Sequence, residues 1–113
     1  MDDLACLADD VNCYNIAEIK IGSKTTISQS SWLCSASHDY GSSAMQLLVA
    51  PITIGSEVWV TGDVFIGPGV HIGDGAVVTA RSTVLSDIPP WKVASGFPAL
   101  VIKDRQLIRE NFK

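Results

Sequence analysis

The sequence predicts an all-β domain, a solenoid of short parallel strands, and three observations lead there. From Ile54 to Pro89 the chain reads in sixes: IGSEVW, VTGDVF, IGPGVH, IGDGAV, VTARST, VLSDIP. The first position is always aliphatic (Ile54, Val60, Ile66, Ile72, Val78, Val84), and the fifth is small or branched (Val58, Val64, Val70, Ala76, Ser82, Ile88). Gly follows the lead residue at Gly55, Gly67 and Gly73. No helix has a period of six, and strand alternation alone does not keep one position aliphatic over successive units. A unit that cannot bury its own apolar residue must stack on copies of itself.

The elements follow from this phase. Residues 1–6 carry no pattern. A degenerate repeat then starts at Leu7 and Cys13. The next lead residue is Ile21, eight positions on, so CYNIAEIK holds two extra residues. IGSKTT, ISQSSW and LCSASH follow in clean phase, led by Ile21, Ile27 and Leu33. Three sixes make one turn of a triangular coil, which predicts that Ile54 stacks on Ile72, Val60 on Val78 and Ile66 on Val84. Ile21, Ile27 and Leu33 form the layer below. About four layers give a prism ~19 Å tall. The repeat breaks once, and residues 38–51 (HDYGSSAMQLLVAP) read as a loop inserted at a corner, a common position for function. IPPWKVASGFPA reads as an irregular turn, Leu100 to Lys103 as a short strand, and the charged end as a short helical tail capping the open coil. The expected organisation is one domain over 1–113: first coils at 7–37, the inserted loop at 38–51, hexad coils at 52–89, and a C-terminal turn and tail at 90–113.

Composition narrows the function. Of 113 residues, 47% are hydrophobic and only 18% charged, which favours burial completed by oligomerisation. The formal net charge of −4, with no basic patch, argues against a nucleic-acid partner. MDDLACLADD lacks the features of a signal peptide, and no stretch approaches the ~18 apolar residues of a membrane span. Cys6, Cys13 and Cys34 have no CxxC spacing, so they read as reduced thiols of a cytoplasmic protein rather than as a zinc site. GxGxxG, P-loop and GxSxG motifs are absent.

His38 is the residue that points to chemistry. It stands at the break in the repeat, and a histidine suits general-base work at neutral pH; the alternative is a solvated loop histidine. His71, outward in mid-repeat, reads as inert. Trp59, also outward, is either a rim aromatic at a subunit contact or a wall of a binding groove, and an interfacial site makes both true. Arg81, Lys103 and Arg105 read as solvated charge or as partners for phosphate. Asn15 and Asp39 are polar groups able to orient His38 or a substrate hydroxyl.

From about Leu7 to Arg105 the chain resembles the hexapeptide-repeat acyltransferases, on the colanic acid and sugar O-acetyltransferase branch. The segments carrying the resemblance are YNIAEIKIG, ISQSSWLCSASHDY, APITIGSEVWV, DVFIGPGVHIGDGAVV, ARSTV and GFPALVIKDR. The resemblance implies a left-handed parallel β-helix, a homotrimer with sites between prisms, and transfer of acetyl from acetyl-CoA to a sugar or polysaccharide-precursor hydroxyl without a metal. His38 is then the catalytic base. Asn15 and Asp39 are on the acceptor side. Trp59, Gly62, Ala80 and Arg81 fall where pantetheine and nucleotide are held, with Lys103 near the phosphates. Relatives carry a longer segment before Leu7, so the chain reads as shortened there. The rival expectation is a catalytically silent trimeric β-helix acting as a binding or scaffold module.

Overall fold

The computed structural model describes residues 6–7, 11–14, 16–38, 41 and 43–106. The chain winds as a parallel coil with three flat faces. β1 (Cys6–Leu7) and β2 (Asn12–Tyr14) begin it. β3 (Ile19–Ile21), β4 (Thr26–Ile27) and β5 (Trp32–Cys34) complete a turn. β6 (Ala36–His38) and β7 (Leu47–Val49) then leave the coil as an antiparallel pair. β8 (Ile52–Ile54), β9 (Trp59–Val60) and β10 (Phe65–Ile66) form the next turn. β11 (His71–Ile72), β12 (Val77–Val78) and β13 (Thr83–Val84) form another. β14 (Lys92–Gly96) and β15 (Ala99–Asp104) close the top. Sheet A runs β1-β4-β9-β12-β14-β15, sheet B β2-β5-β10-β13, and sheet C β3-β8-β11.

The expected stacking holds residue by residue. Ile54 pairs with Ile72, Val60 with Val78 and Ile66 with Val84. Below them lie Ile21, Ile27 and Leu33. In the first coil Leu7 pairs with Ile27 and Cys13 with Leu33, twenty residues apart rather than eighteen. The two extra residues are thus absorbed between Cys13 and Ile21. Lead and fifth positions alike are buried from Ile21 to Ile88, except Ser37 where the repeat breaks. Where Thr25, Ser31 and Ser82 replace an apolar fifth residue, their hydroxyls bond the backbone: Thr25 Oγ1 donates to Gly55 O (2.6 Å) and accepts from Val58 N–H (3.2 Å). The burial of each hydroxyl is therefore compensated.

The Gly signal also has a steric cause. Gly22, Gly55 and Gly73 stack where successive coils approach most closely. A Cβ on Gly55 would lie 2.2 Å from Asp74 Oδ1, and one on Gly73 2.5 Å from Pro90 N.

Two expectations for the C-terminal end fail. Residues 88–99, expected as an irregular turn, hold the strand Lys92–Gly96, parallel to β12. The strand expected at Leu100 to Lys103 is present within β15, but the helical tail expected after it is not a helix in its described part. Ala99–Asp104 is a strand paired antiparallel with β14, Gly96 opposite Ala99 and Lys92 opposite Asp104. No helix is present among the described residues. The coil's top strand presents an unpaired backbone edge, and a neighbouring extended segment satisfies it more fully than an isolated short helix could. Residues 107–113, the rest of that expected helix, lie outside the described residues.

Candidate active site

The corners between faces position the candidate residues. At the fully described turns from sheet A to sheet B the backbone enters the left-handed region: Ser30 (φ 62°), Asp63 (59°) and Arg81 (64°). Asp63 N–H donates to Gln29 O and Arg81 N–H to Gly62 O, both at 3.0 Å, so these turns form one hydrogen-bonded column. Gln29, Ser30, Gly62, Asp63, Ala80 and Arg81 line a groove of about 160 Å³ along it. Three of the five expected donor residues, Gly62, Ala80 and Arg81, therefore share one groove. The other three lining residues were not singled out from sequence. Their signal was available, since Gln29 and Ser30 precede Gly62 and Asp63 by the stacking interval of that coil.

Trp59 lies on the outer side of sheet A, just before this corner. Its ring is half exposed, and its Nε1–H donates to Ser28 Oγ on the coil below (3.0 Å). Trp59 is in register with Val77, Val77 with Val93, and Val93 with Lys103. Lys103 thus stands three strand spacings above Trp59, ~14 Å along the same face. It lines a second groove with Val93, Asp104, Arg105 and Gln106, and Lys92 pairs with the Asp104 carboxylate. The donor-side residues consequently follow one strip, from the A–B corner up the face of sheet A.

His38 is elsewhere. It ends β6, opposite Leu47 of β7. The hairpin leaves from the corner between sheets B and C, where Ala50 N–H donates to Ser35 O (3.0 Å) and Gly69 N–H to Ala50 O (3.3 Å). A side of six residues separates this corner from the A–B corner, up to ~20 Å of extended chain. The structure brings Gly62, Ala80 and Arg81 together, with Trp59 beside them and Lys103 ~14 Å up the same face, but puts His38 on the far edge of sheet B. Asn15 and Asp39 lie outside the described residues. His71 is exposed on sheet C, its backbone N–H bonded to Asp87 Oδ1 (2.8 Å), away from the strip. Arg105, grouped above with Lys103, directs its Nη1 onto the carbonyls of Glu57 and Gly75 instead of outward.

Sheet B between these two corners has an apolar outer side. Trp32 pairs with Phe65, and Tyr14, Trp32 and Leu85 are exposed. The hairpin adds exposed Leu47, Leu48 and Val49. Cys13, at a lead position of the first coil, is exposed, and partial desolvation by neighbouring residues shifts its thiol pKa upward. Among the described residues no cluster of His, Cys, Asp and Glu is arranged to hold a metal ion, and no helix is long and apolar enough to cross a membrane.

Comparison with known proteins bears on this arrangement. No family model matches the chain. WcaF of Escherichia coli (strain K12), assigned as a colanic acid biosynthesis acetyltransferase, is 48% identical over 105 residues, which cover 93% of this chain and 58% of WcaF. The chain thus spans a little over half the length of that relative. Among solved structures, a maltose O-acetyltransferase from Clostridium difficile 630 superimposes with a TM-score of 0.82 at 27% identity, covering 91% of this chain and 67% of that one. A hexapeptide-repeat acetyltransferase from Vibrio cholerae O1 biovar eltor, complexed with acetyl coenzyme A, gives 0.76 at 27% identity, covering 93% and 70%. In its six-residue coil and over 93% of its length the chain is homologous to the hexapeptide-repeat colanic acid and sugar O-acetyltransferases.

Proposed function

We propose that this protein is an acetyl-CoA-dependent O-acetyltransferase acting on a hydroxyl of a sugar or polysaccharide precursor, and that it works as a homotrimer in the cytoplasm. The observation that carries the reading is the placement of the two half-sites. The strip of Trp59, Gly62, Ala80, Arg81 and Lys103 runs along sheet A and its corner with B, while His38 leaves from the opposite corner of B. A second copy whose A–B corner meets this copy's hairpin would bring the halves together. It would also cover the apolar outer side of sheet B, and a ring of three such head-to-tail contacts closes. Similarity to WcaF and to an acetyl-CoA complex supports the substrate classes.

In this mechanism the acetyl donor lies along the strip with its thioester facing the partner's hairpin. The acceptor hydroxyl gives its proton to the neutral His38 imidazole as its oxygen attacks the thioester carbonyl. The tetrahedral intermediate collapses with loss of the C–S bond, and the departing thiolate takes the proton back from the imidazolium. Asn15 and Asp39 orient the acceptor or the imidazole. The three cysteines stay as thiols in a reducing compartment.

The test measures CoA binding by calorimetry and thiol release with a panel of sugars, for the wild type and His38→Ala. His38→Ala is expected to keep CoA affinity and lose ~10²–10⁴-fold in turnover, the contribution of a positioned general base. The wild-type rate is expected to rise with pH as the imidazole loses its proton, because only the neutral ring accepts one. CoA binding without turnover of any acceptor would return the chain to a silent binding module. Absence of CoA binding in the wild type would overturn the transferase reading.

A further inference from the structure

The third corner, between sheets C and A, carries a device that the chemistry above does not use. Its turns also pass through the left-handed region, at Lys24, Glu57, Gly75 and Trp91. They are joined by Glu57 N–H to Ser23 O, Gly75 N–H to Ser56 O and Trp91 N–H to Asp74 O (2.8–3.0 Å). Trp91 tops this column and lays its ring over Gly75, where a Cβ would come within 2.3 Å of the indole. Arg105, directly after β15, closes the assembly. Its backbone N–H donates to Trp91 O (2.8 Å). Its Nη1 donates to Glu57 O and Gly75 O, both at 2.9 Å, and its guanidinium stands 5.6 Å from the Trp91 ring centroid.

These contacts consume the cation. A guanidinium that bonds two main-chain carbonyls and stacks on an indole is held in place. Lys103, two residues earlier, is exposed and makes no ion pair among the described residues. β15 lies outside the repeat and has a single sheet neighbour, β14. Besides the ladder that sets Lys103 opposite Val93 and Asp104 opposite Lys92, the end of β15 is held by the Arg105 contacts and the Lys92–Asp104 pair.

We propose that Arg105 is a positioning residue for the donor: the Arg105–Trp91 latch holds the end of β15 against the coil so that the Lys103 ammonium meets the 3′-phosphate of the coenzyme. This rests on the donor reading above. Lys103 is at the top of the strip, farthest from the coil that bears His38, so it receives the end of the donor farthest from the thioester. A phosphate there is bound by charge, and its affinity depends on where the ammonium is held.

The experiment compares affinity for CoA and for 3′-dephospho-CoA in the wild type, Lys103→Ala, Arg105→Ala and the milder Arg105→Lys, with thermal melting of each. The wild type is expected to prefer CoA by about five- to tenfold, the scale of a charge-assisted contact discounted for exposure. Lys103→Ala should abolish that preference. Arg105→Ala should abolish most of it although Lys103 is still present, and dephospho-CoA affinity should stay within about twofold in both variants. Arg105→Lys keeps the charge but not the planar fork, so it should lose part of the preference with a smaller fall in melting temperature. An Arg105 variant that melts lower yet keeps the wild-type preference overturns the proposal and leaves the latch purely structural. A preference that survives Lys103→Ala overturns it as well. Failure of the wild type to bind either coenzyme refutes the donor reading itself, a separate outcome.

Discussion

The proposed division of the site between two corners makes a quantitative prediction about mixed oligomers. The perturbation is a pair of variants, each lesioned in one half-site. His38→Ala removes the base on the hairpin. Ala80→Tyr puts an aromatic ring into the A–B groove of about 160 Å³, and Ala80 is exposed, so the coil itself is undisturbed. Each variant alone should be inactive. In a closed ring of three, each site takes His38 from one copy and the strip from the next. Any mixed ring then has one junction where both halves are intact, so mixed trimers should show about one third of wild-type turnover. A two-fold dimer with exchanged half-sites would show about one half. The assay co-expresses the variants with different affinity tags, purifies doubly tagged oligomers and measures thiol release from acetyl-CoA with an accepted sugar. Mixed oligomers no more active than their parents would refute the argument, because both halves would then belong to one chain.

Two further predictions concern the scaffold. Ile66 is fully buried between Leu33 and Val84, whereas Thr53 on sheet C faces out. Ile66→Asp buries an unpaired carboxylate at a cost of several kcal/mol against a total stability of ~5–15 kcal/mol, and should not fold, while Thr53→Asp should melt within a few degrees of wild type; equal behaviour by circular dichroism would show that the assigned phase is wrong. Gly55→Ala drives a methyl into Asp74 and should cost ~1–3 kcal/mol in urea unfolding, whereas a Cβ on Gly62 meets nothing closer than 3.5 Å and Gly62→Ala should cost well under ~1 kcal/mol. A larger loss at Gly62 than at Gly55 would contradict the close approach of the coils at the C–A corner.

The sequence by itself determined the coil. An aliphatic residue every six positions can be buried only by stacking, so the spacing of lead residues dictated which strands pair, including the two-residue shift between Cys13 and Ile21. Gly55 and Gly73 after their lead residues were legible as well, because close approach of successive coils excludes a side chain there, whereas Gly67 has room for one. Trp59, Gly62, Ala80 and Arg81 were grouped by the resemblance to the acyltransferases, and the repeat accounts for Gly62, Ala80 and Arg81 reaching one groove. What had no period had no such rule. The inserted segment pairs with itself as β6 and β7, Lys92–Gly96 is a strand where an irregular turn was expected, and no helix follows the expected strand at Leu100 to Lys103 within the described residues. Short amphipathic runs are compatible with helix or strand, and the free edge of the neighbouring strand decides between them. The tertiary structure alone placed His38 one face away from the donor strip and turned Arg105 from a surface charge into a clasp on Trp91 and two carbonyls. Neither could be read from the chain, because each depends on which corner of the prism a residue reaches after the repeat has been broken or has ended.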